Sequence, residues 1–319
     1  MSFPRENTAF GTAPLEPAIG GFLVQAAGQP PLESLPLDVA RQSYRELAGA
    51  LGLQPPQALV RDLAIAGPGG ALPLRCYTPM GSTGPLPVLV FLHGGGWVIG
   101  DLETHDAVCR TLCQEAGLLV VAVDYRRAPE HCFPAAPDDA EAALRWVAAH
   151  AAELGGDPAR LALAGDSAGA QLAAVAAQRV APGIPLRGLG LIYPAAQHYS
   201  EGSPSYAENG EGKFLTSSVM RWFMDAYLGK DAALYQHPEV ALLRSQRLNT
   251  LPPTWIATAG HDPLRDEGLA LARALAAAGV PLTQVHEASA IHACIHFTAL
   301  SPAGGRLLAG LASWLRETV

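Results

Sequence analysis

The sequence predicts an α/β protein: a mostly parallel sheet covered by helices on both faces. Three observations carry this. Short, wholly apolar runs such as Val88–Leu92 (VLVFL) and Leu118–Val123 (LLVVAV) have the texture of strands buried on both sides. Helical segments alternate with such runs, as crossovers between parallel strands require. The 319 residues are 49% apolar, enough for a large core.

The elements follow in order. Residues 1–30 are rich in Pro and Gly and show no period. From Leu37 to Leu51, Val39, Tyr44, Leu47 and Leu51 recur near one helical face, and Pro55-Pro56 ends the segment. Arg61–Ala66 and Leu72–Tyr77 flank a Gly-Pro-Gly-Gly turn and read as a hairpin. Strands are expected at Val88–Leu92, Leu118–Val123, Leu161–Ala164, Leu189–Ile192, Trp255–Ala259 and Leu282–His286. Helices are expected between them at Thr104–Ala116, Asp138–Leu154, Ala168–Val180 and Asp266–Ala278, with a last one at Gly304–Arg316. Residues 195–250 break the rhythm with polar loop around one helical piece, Ser217–Leu228. A long excursion after a strand is the kind that shapes a binding site. With the N-terminal segment it is expected to form a helical cap, from about residues 1–50 and 195–250, on a single domain spanning 1–319.

Composition excludes several classes. The net charge is −8 and no Lys/Arg run exceeds Arg126-Arg127, so no nucleic-acid partner is expected. No stretch of 18 apolar residues exists, and Met1–Thr12 has no apolar core of a secretory signal. No integral membrane association is expected. The 33 glycines and 27 prolines stay below the density of a low-complexity chain. Five cysteines, Cys76, Cys109, Cys113, Cys132 and Cys294, form no disulfide framework and read as free thiols, which points to the reducing cytoplasm. No zinc-type spacing surrounds Cys109 and Cys113, and no metal site is expected.

Leu161–Gly169 reads LALAGDSAG, a Gly-x-Ser-x-Gly between an apolar strand and an Ala-rich helix. A serine there occupies a strained turn that projects its Oγ, and the residues two before and two after approach so closely that only glycine fits. The helix that begins after Ser167 points free N–H groups at the same spot. The plainer alternative is an ordinary strand–helix turn with a serine N-cap.

Strand Val88–Leu92 runs into His93-Gly94-Gly95-Gly96-Trp97. Consecutive glycines let backbone N–H groups converge, as an oxyanion requires, and the N–H of Ala168 adds a further donor. A phosphate nest is the alternative, but no Lys, Ser or Thr follows as in a P-loop. His93 reads as a partner that orients this loop. A general base needs a carboxylate behind it, on loops after late strands. Asp262 sits at the end of strand Trp255–Ala259, with helix N-cap as its alternative role. Asp266 and Glu267 fit the first helical turn and its dipole. Past Leu282–His286, both His292 and His296 are placed to act as the base, and spacing does not separate them.

Taken together, HGGGWVIGD (His93–Asp101), DYRRAPEHCFPA (Asp124–Ala135), GDSAG (Gly165–Gly169) and DPLRDEG (Asp262–Gly268) resemble the hormone-sensitive-lipase-like esterases, the HGGG-bearing branch of the α/β-hydrolases. The resemblance runs from about Val88 to the C-terminus. It implies an α/β-hydrolase fold with an eight-stranded sheet and a helical cap. It implies Ser167 as nucleophile, Asp262 as triad acid, and Gly94, Gly95, Gly96 and Ala168 as the oxyanion hole. It also selects His292 over His296, because only that choice brings Ser301-Pro302-Ala303 into register with the family's downstream Pro-Ala. Ala293 and Cys294 stand where the family has Gly and Phe. Tyr125–Glu130 reads as scaffold for the glycine loop.

The function so implied is a serine carboxylesterase for short- to medium-chain acyl esters, working through an acyl-enzyme without cofactor. An amidase, lactonase or arylester deacetylase would use the same triad; a non-catalytic small-molecule receptor would need only the pocket. A small-molecule ester is the expected partner, and the resemblance suggests a homodimer.

Overall fold

The computed structural model describes residues 10–52 and 54–319; the first nine residues of the expected cap lie outside them. Two helices come first, α1 (Pro17–Ala26) and α2 (Leu37–Leu51). The hairpin strands β1 (Ala58–Gly67) and β2 (Gly70–Pro79) follow, then β3 (Leu86–Leu92), α3 (Asp106–Ala116), β4 (Leu119–Val123) and α4 (Ala135–His150). After these come β5 (Gly156–Asp166), α5 (Ala168–Val180) and β6 (Gly188–Ile192). The excursion carries α6 (Pro204–Asn209) and α7 (Ser217–Leu228), and the chain ends with β7 (Thr254–His261), α8 (Arg265–Ala277), β8 (Leu282–Ile291) and α9 (Pro302–Thr318).

The eight strands form one sheet in the order β1-β2-β4-β3-β5-β6-β7-β8. β2 pairs antiparallel with β1 and β4, and from β4 to β8 all neighbours are parallel. The apolar runs explain the central strands. Every residue of β4 and β6 is buried, as strands with helices on both faces demand. α5 is buried almost all round, and its alanines are the side chains small enough for a helix enclosed in this way. From β3 the chain passes to β4 on one side, then crosses back to β5 on the other. That reversal opens a crevice at the carboxyl ends of β3 and β5, where Leu92 pairs with Gly165. The glycine loop and Ser167 leave the sheet side by side at this point.

Two elements go beyond the sequence reading. Residues 1–30 do hold an element, α1, hidden in the sequence by Gly20-Gly21 and by a face that buries only Ile19. β8 continues past His286 to Ile291, its last residues pairing with the end of β7 across a register shift. His292 therefore follows the strand directly. Among the described residues, no helix is long and apolar enough to cross a membrane.

Candidate active site

Ser167 is the first residue after β5 and has φ 54°, ψ −120°, a conformation that costs a non-glycine residue energy and is held by its surroundings. Its N–H donates to Ile192 O (2.8 Å). The two glycines around it are required by space. A Cβ on Gly165 would stand 2.4 Å from Gly169 O, and one on Gly169 would stand 2.0 Å from Leu92 O.

His292 and Asp262 come to this serine from the ends of β8 and β7. His292 Nε2 lies 2.9 Å from Ser167 Oγ, and His292 Nδ1 lies 2.7 Å from Asp262 Oδ2. Asp262 is fully buried, and its other oxygen, Oδ1, accepts the Leu264 N–H (2.8 Å) ahead of α8. Both oxygens are engaged, so the capping role and the contact to histidine coexist in one side chain. The Tyr193 ring packs on His292 at 4.6 Å between centroids. His296 is not at the serine: its Nε2 faces Asp166 Oδ2 at 3.9 Å.

The glycine loop bends back on itself, with the Val98 and Ile99 N–H groups donating to Gly95 O. Gly95 (φ 107°) and Gly96 (φ 58°) lie in the left-handed region, and a Cβ on Gly96 would collide with the Phe223 ring. The Gly94 N–H donates to Asp166 Oδ1 (2.8 Å), with His105 Nε2 at 3.2 Å from the same nitrogen. The N–H groups of Gly95, Gly96 and Ala168 have no acceptor among the described residues. His93 Nδ1 donates to Gly94 O (2.8 Å), its ring stacks on Tyr125 at 4.1 Å, and the Tyr125 hydroxyl donates to His93 O (2.7 Å). Burial, then the neighbouring His105, pushes the His93 imidazole down to about 3, so it is a neutral brace of the loop. Arg127 and Arg41 hold the carbonyls of Gly100 and Val98, which extends the brace to α2.

Ser167, His292, Gly95, Gly96 and Asp166 open on a cavity of about 850 Å³. Its walls are mainly apolar. Phe22 and Leu23 come from α1, Leu47 from α2, and Phe214, Met220 and Phe223 from the excursion. α6 ties that excursion to the acid loop: the Ser205 N–H donates to Asp266 Oδ2 and Asn209 Nδ2 to Asp262 O.

Two residues behave in ways their sequence positions do not announce. Glu267, which fits a first-turn dipole role, is fully buried and accepts the Ala196 N–H (2.7 Å). Burial raises its carboxyl well above the usual range, and Asp262 nearby adds to the rise. Such a group keeps its proton at pH values where the unfolded chain has lost it. Its contribution is full below about pH 4.3 and declines as pH rises toward the folded value. Glu267→Gln removes that decline, so in thermal melts the variant should gain on the wild type between pH 5 and pH 8, by about 2 °C or more. A gap that does not change with pH would contradict a protonated Glu267.

Ala293 sits at φ 63°, ψ 17°, the left-handed region, immediately after His292. The alanine there costs roughly 1–2 kcal/mol in strain, against about 0.5–1 kcal/mol of extra chain entropy for glycine. Ala293→Gly should therefore raise Tm by about 1–3 °C in calorimetry; a fall would show that the loop relieves the strain elsewhere. Cys294 is fully buried against α9, where a Cβ on Gly304 would stand 2.0 Å from its carbonyl.

Comparison with known proteins agrees with the fold. Residues 89–296 match a family described as alpha/beta hydrolase fold. The chain is 41% identical over 300 residues to "Esterase LipI" of Mycobacterium tuberculosis, covering 92% of each. It is 37% identical over 257 residues to "Ethyl acetate hydrolase" of Pseudomonas putida, covering 78% of this chain and 80% of that one. Among solved structures, a hyperthermophilic esterase from Pyrobaculum calidifontis superposes with a TM-score of 0.91 at 35% identity, over 96% of this chain and 99% of the other.

Proposed function

Because the chain belongs to the alpha/beta-hydrolase family, in its hormone-sensitive-lipase-like branch, we propose that it is a serine carboxylesterase with Ser167 as nucleophile, His292 as base and Asp262 as the carboxylate that orients it. One observation carries the assignment: the unbroken line from Ser167 Oγ through both ring nitrogens of His292 to Asp262 Oδ2, with links of 2.9 and 2.7 Å.

The chemistry follows from that line. His292 Nε2 takes the Ser167 proton as Oγ attacks the ester carbonyl. Asp262 keeps Nδ1 protonated and stabilises the imidazolium that forms. The negative charge on the carbonyl oxygen then falls to the amides of Gly95, Gly96 and Ala168, which stand free beside the serine. Gly94 serves this oxyanion hole differently: its N–H, held by Asp166, locks the loop to the residue that precedes the nucleophile. Collapse expels the alcohol, protonated by His292, and leaves the acyl group on Ser167. Water, activated by the same histidine, releases the acid. No step draws on a cofactor.

The cap formed by α1, α2 and the excursion encloses an apolar cavity that suits a small acyl group over a long fatty chain. A series of p-nitrophenyl esters from acetate to palmitate tests this. Hydrolysis should peak at or below about eight carbons in kcat/KM, since a bounded apolar pocket gains from each methylene only until it is full. A maximum beyond twelve carbons would overturn the substrate class, and no hydrolysis of any ester would overturn the function. The cytoplasmic location and the homodimer belong to the same proposal; sedimentation velocity checks the second.

A further inference from the structure

Behind the Ser167 line, three further ligand-type side chains converge. His105 leads into α3, Asp166 ends β5, and His296 follows β8; they are 1%, 1% and 4% exposed. One ligand atom from each lies within 4.8 Å of the other two. The three come from distant parts of the chain, so no sequence spacing marks the cluster.

The hydrogen-bond pattern around them leaves one buried ring nitrogen, His296 Nε2, without a partner. Thr104 Oγ1 accepts the Asp101 N–H (2.9 Å) and donates its one hydrogen to Asp101 O (2.8 Å). His105 Nδ1 is 2.8 Å from the same hydroxyl, which accepts from it in the tautomer that leaves Nε2 unprotonated. His105 Nε2 lies 2.9 Å from Asp166 Oδ1 and 3.2 Å from the Gly94 nitrogen. On the other side, His296 Nε2 is buried without a hydrogen-bond partner and faces Asp166 Oδ2 at 3.9 Å. That separation is longer than a hydrogen bond, and it suits two ligand atoms about 2.1 Å from one shared ion. The Gly94 N–H is shared between Asp166 Oδ1 (2.8 Å) and His105 Nε2 (3.2 Å) and does not reach Oδ2.

We propose that His105, Asp166 and His296 form a binding site for a divalent transition ion, zinc by its ligand set. Two imidazole nitrogens and one carboxylate oxygen suit Zn²⁺ and do not suit Mg²⁺, which prefers oxygen ligands and water. The Thr104 hydroxyl supplies the outer hydrogen bond that fixes the His105 tautomer. Asp166 also lines the substrate cavity, so the ion has an entry route. Binding requires no redox step: the ion binds lone pairs, and its charge offsets the buried carboxylate. It also competes with the Gly94 N–H for Asp166. On the esterase reading above, the zinc-loaded protein should therefore lose kcat several-fold with KM little changed.

Isothermal titration of chelator-treated protein with zinc chloride, without substrate, reads the binding independently of that esterase reading. The expected result is one zinc per chain, a rise in Tm of several degrees, and no heat with magnesium chloride. His296→Phe keeps a ring against Tyr44, removes one ligand, and should abolish the stoichiometric binding. Failure of the wild type to bind zinc, or binding that survives His296→Phe, would overturn the site. Anomalous scattering at the zinc edge from zinc-soaked crystals of the wild type decides the case even if the variant does not fold. A peak between the three side chains supports the site, and a peak elsewhere or none overturns it.

Discussion

Replacing Ser167 with alanine is expected to lower kcat for a short p-nitrophenyl ester by about 100,000-fold or more, because removing the nucleophile from a triad costs as much as removing the triad. What makes the forecast specific is that the rest of the site should survive. Ser167 is held at φ 54° by its N–H bond to Ile192 O and by the two glycines beside it, none of which needs the hydroxyl. The cavity walls come from other elements. Alanine should therefore leave the fold and the binding of a product acid near those of the wild type, and residual turnover should reflect only the oxyanion donors and the pocket. Steady-state kinetics with a melting curve on the same preparation checks both halves. A variant that keeps wild-type turnover would exclude Ser167 as the nucleophile.

Asp262→Asn should cost about 10,000-fold in kcat, the loss seen when a triad acid becomes an amide. Here the structure gives a local reason. Both oxygens of Asp262 accept, Oδ2 from His292 Nδ1 and Oδ1 from the Leu264 N–H. An asparagine has one acceptor for these two donors. If its oxygen faces Leu264, its NH₂ faces His292, and the ring must accept at Nδ1 and carry its proton on Nε2, where it cannot take one from Ser167. If its oxygen faces His292, two N–H groups meet at the start of α8. The loss should fall on kcat with KM little altered, since Asp262 lies away from the cavity lining. A drop below tenfold would mean that the carboxylate charge and the tautomer it enforces are not needed.

How much of this was legible in the sequence depends on whether the cause was local. The elbow around Ser167 was legible because its glycines answer to clashes within five residues and to one neighbouring strand. The central strands were legible because burial on both faces writes an unbroken apolar run. α1 was not, because Gly20-Gly21 interrupts its period and the helix faces the cavity and a small satellite cluster around Ile19 and Phe297. The end of β8 was masked by Glu287-Ala-Ser-Ala, polar and small residues on a strand at the sheet edge. Spacing alone left His292 and His296 open; the resemblance separated them, and the structure puts His292 at Ser167 and His296 beside Asp166. The least legible features are those whose partner is remote in the chain. The Gly94 N–H is taken by Asp166, 72 residues away, and Glu267 is buried because it answers an amide of the loop after β6, 71 residues away. The alanine content of α5, which has no counterpart in the chemistry, follows from the enclosure of that helix on nearly every side.

The measurement that bears most directly on the chemistry is covalent labelling. A fluorophosphonate forms a stable adduct only with a serine whose hydroxyl is deprotonated by a base and whose adduct oxygen is held by oxyanion donors. After incubation and digestion, mass spectrometry should find one adduct per chain, on the peptide containing Ser167, formed in step with the loss of activity and slowed by an ester substrate. An unlabelled Ser167, or loss of activity through an adduct at another residue, would contradict the line from Ser167 through His292 to Asp262 as the catalytic one.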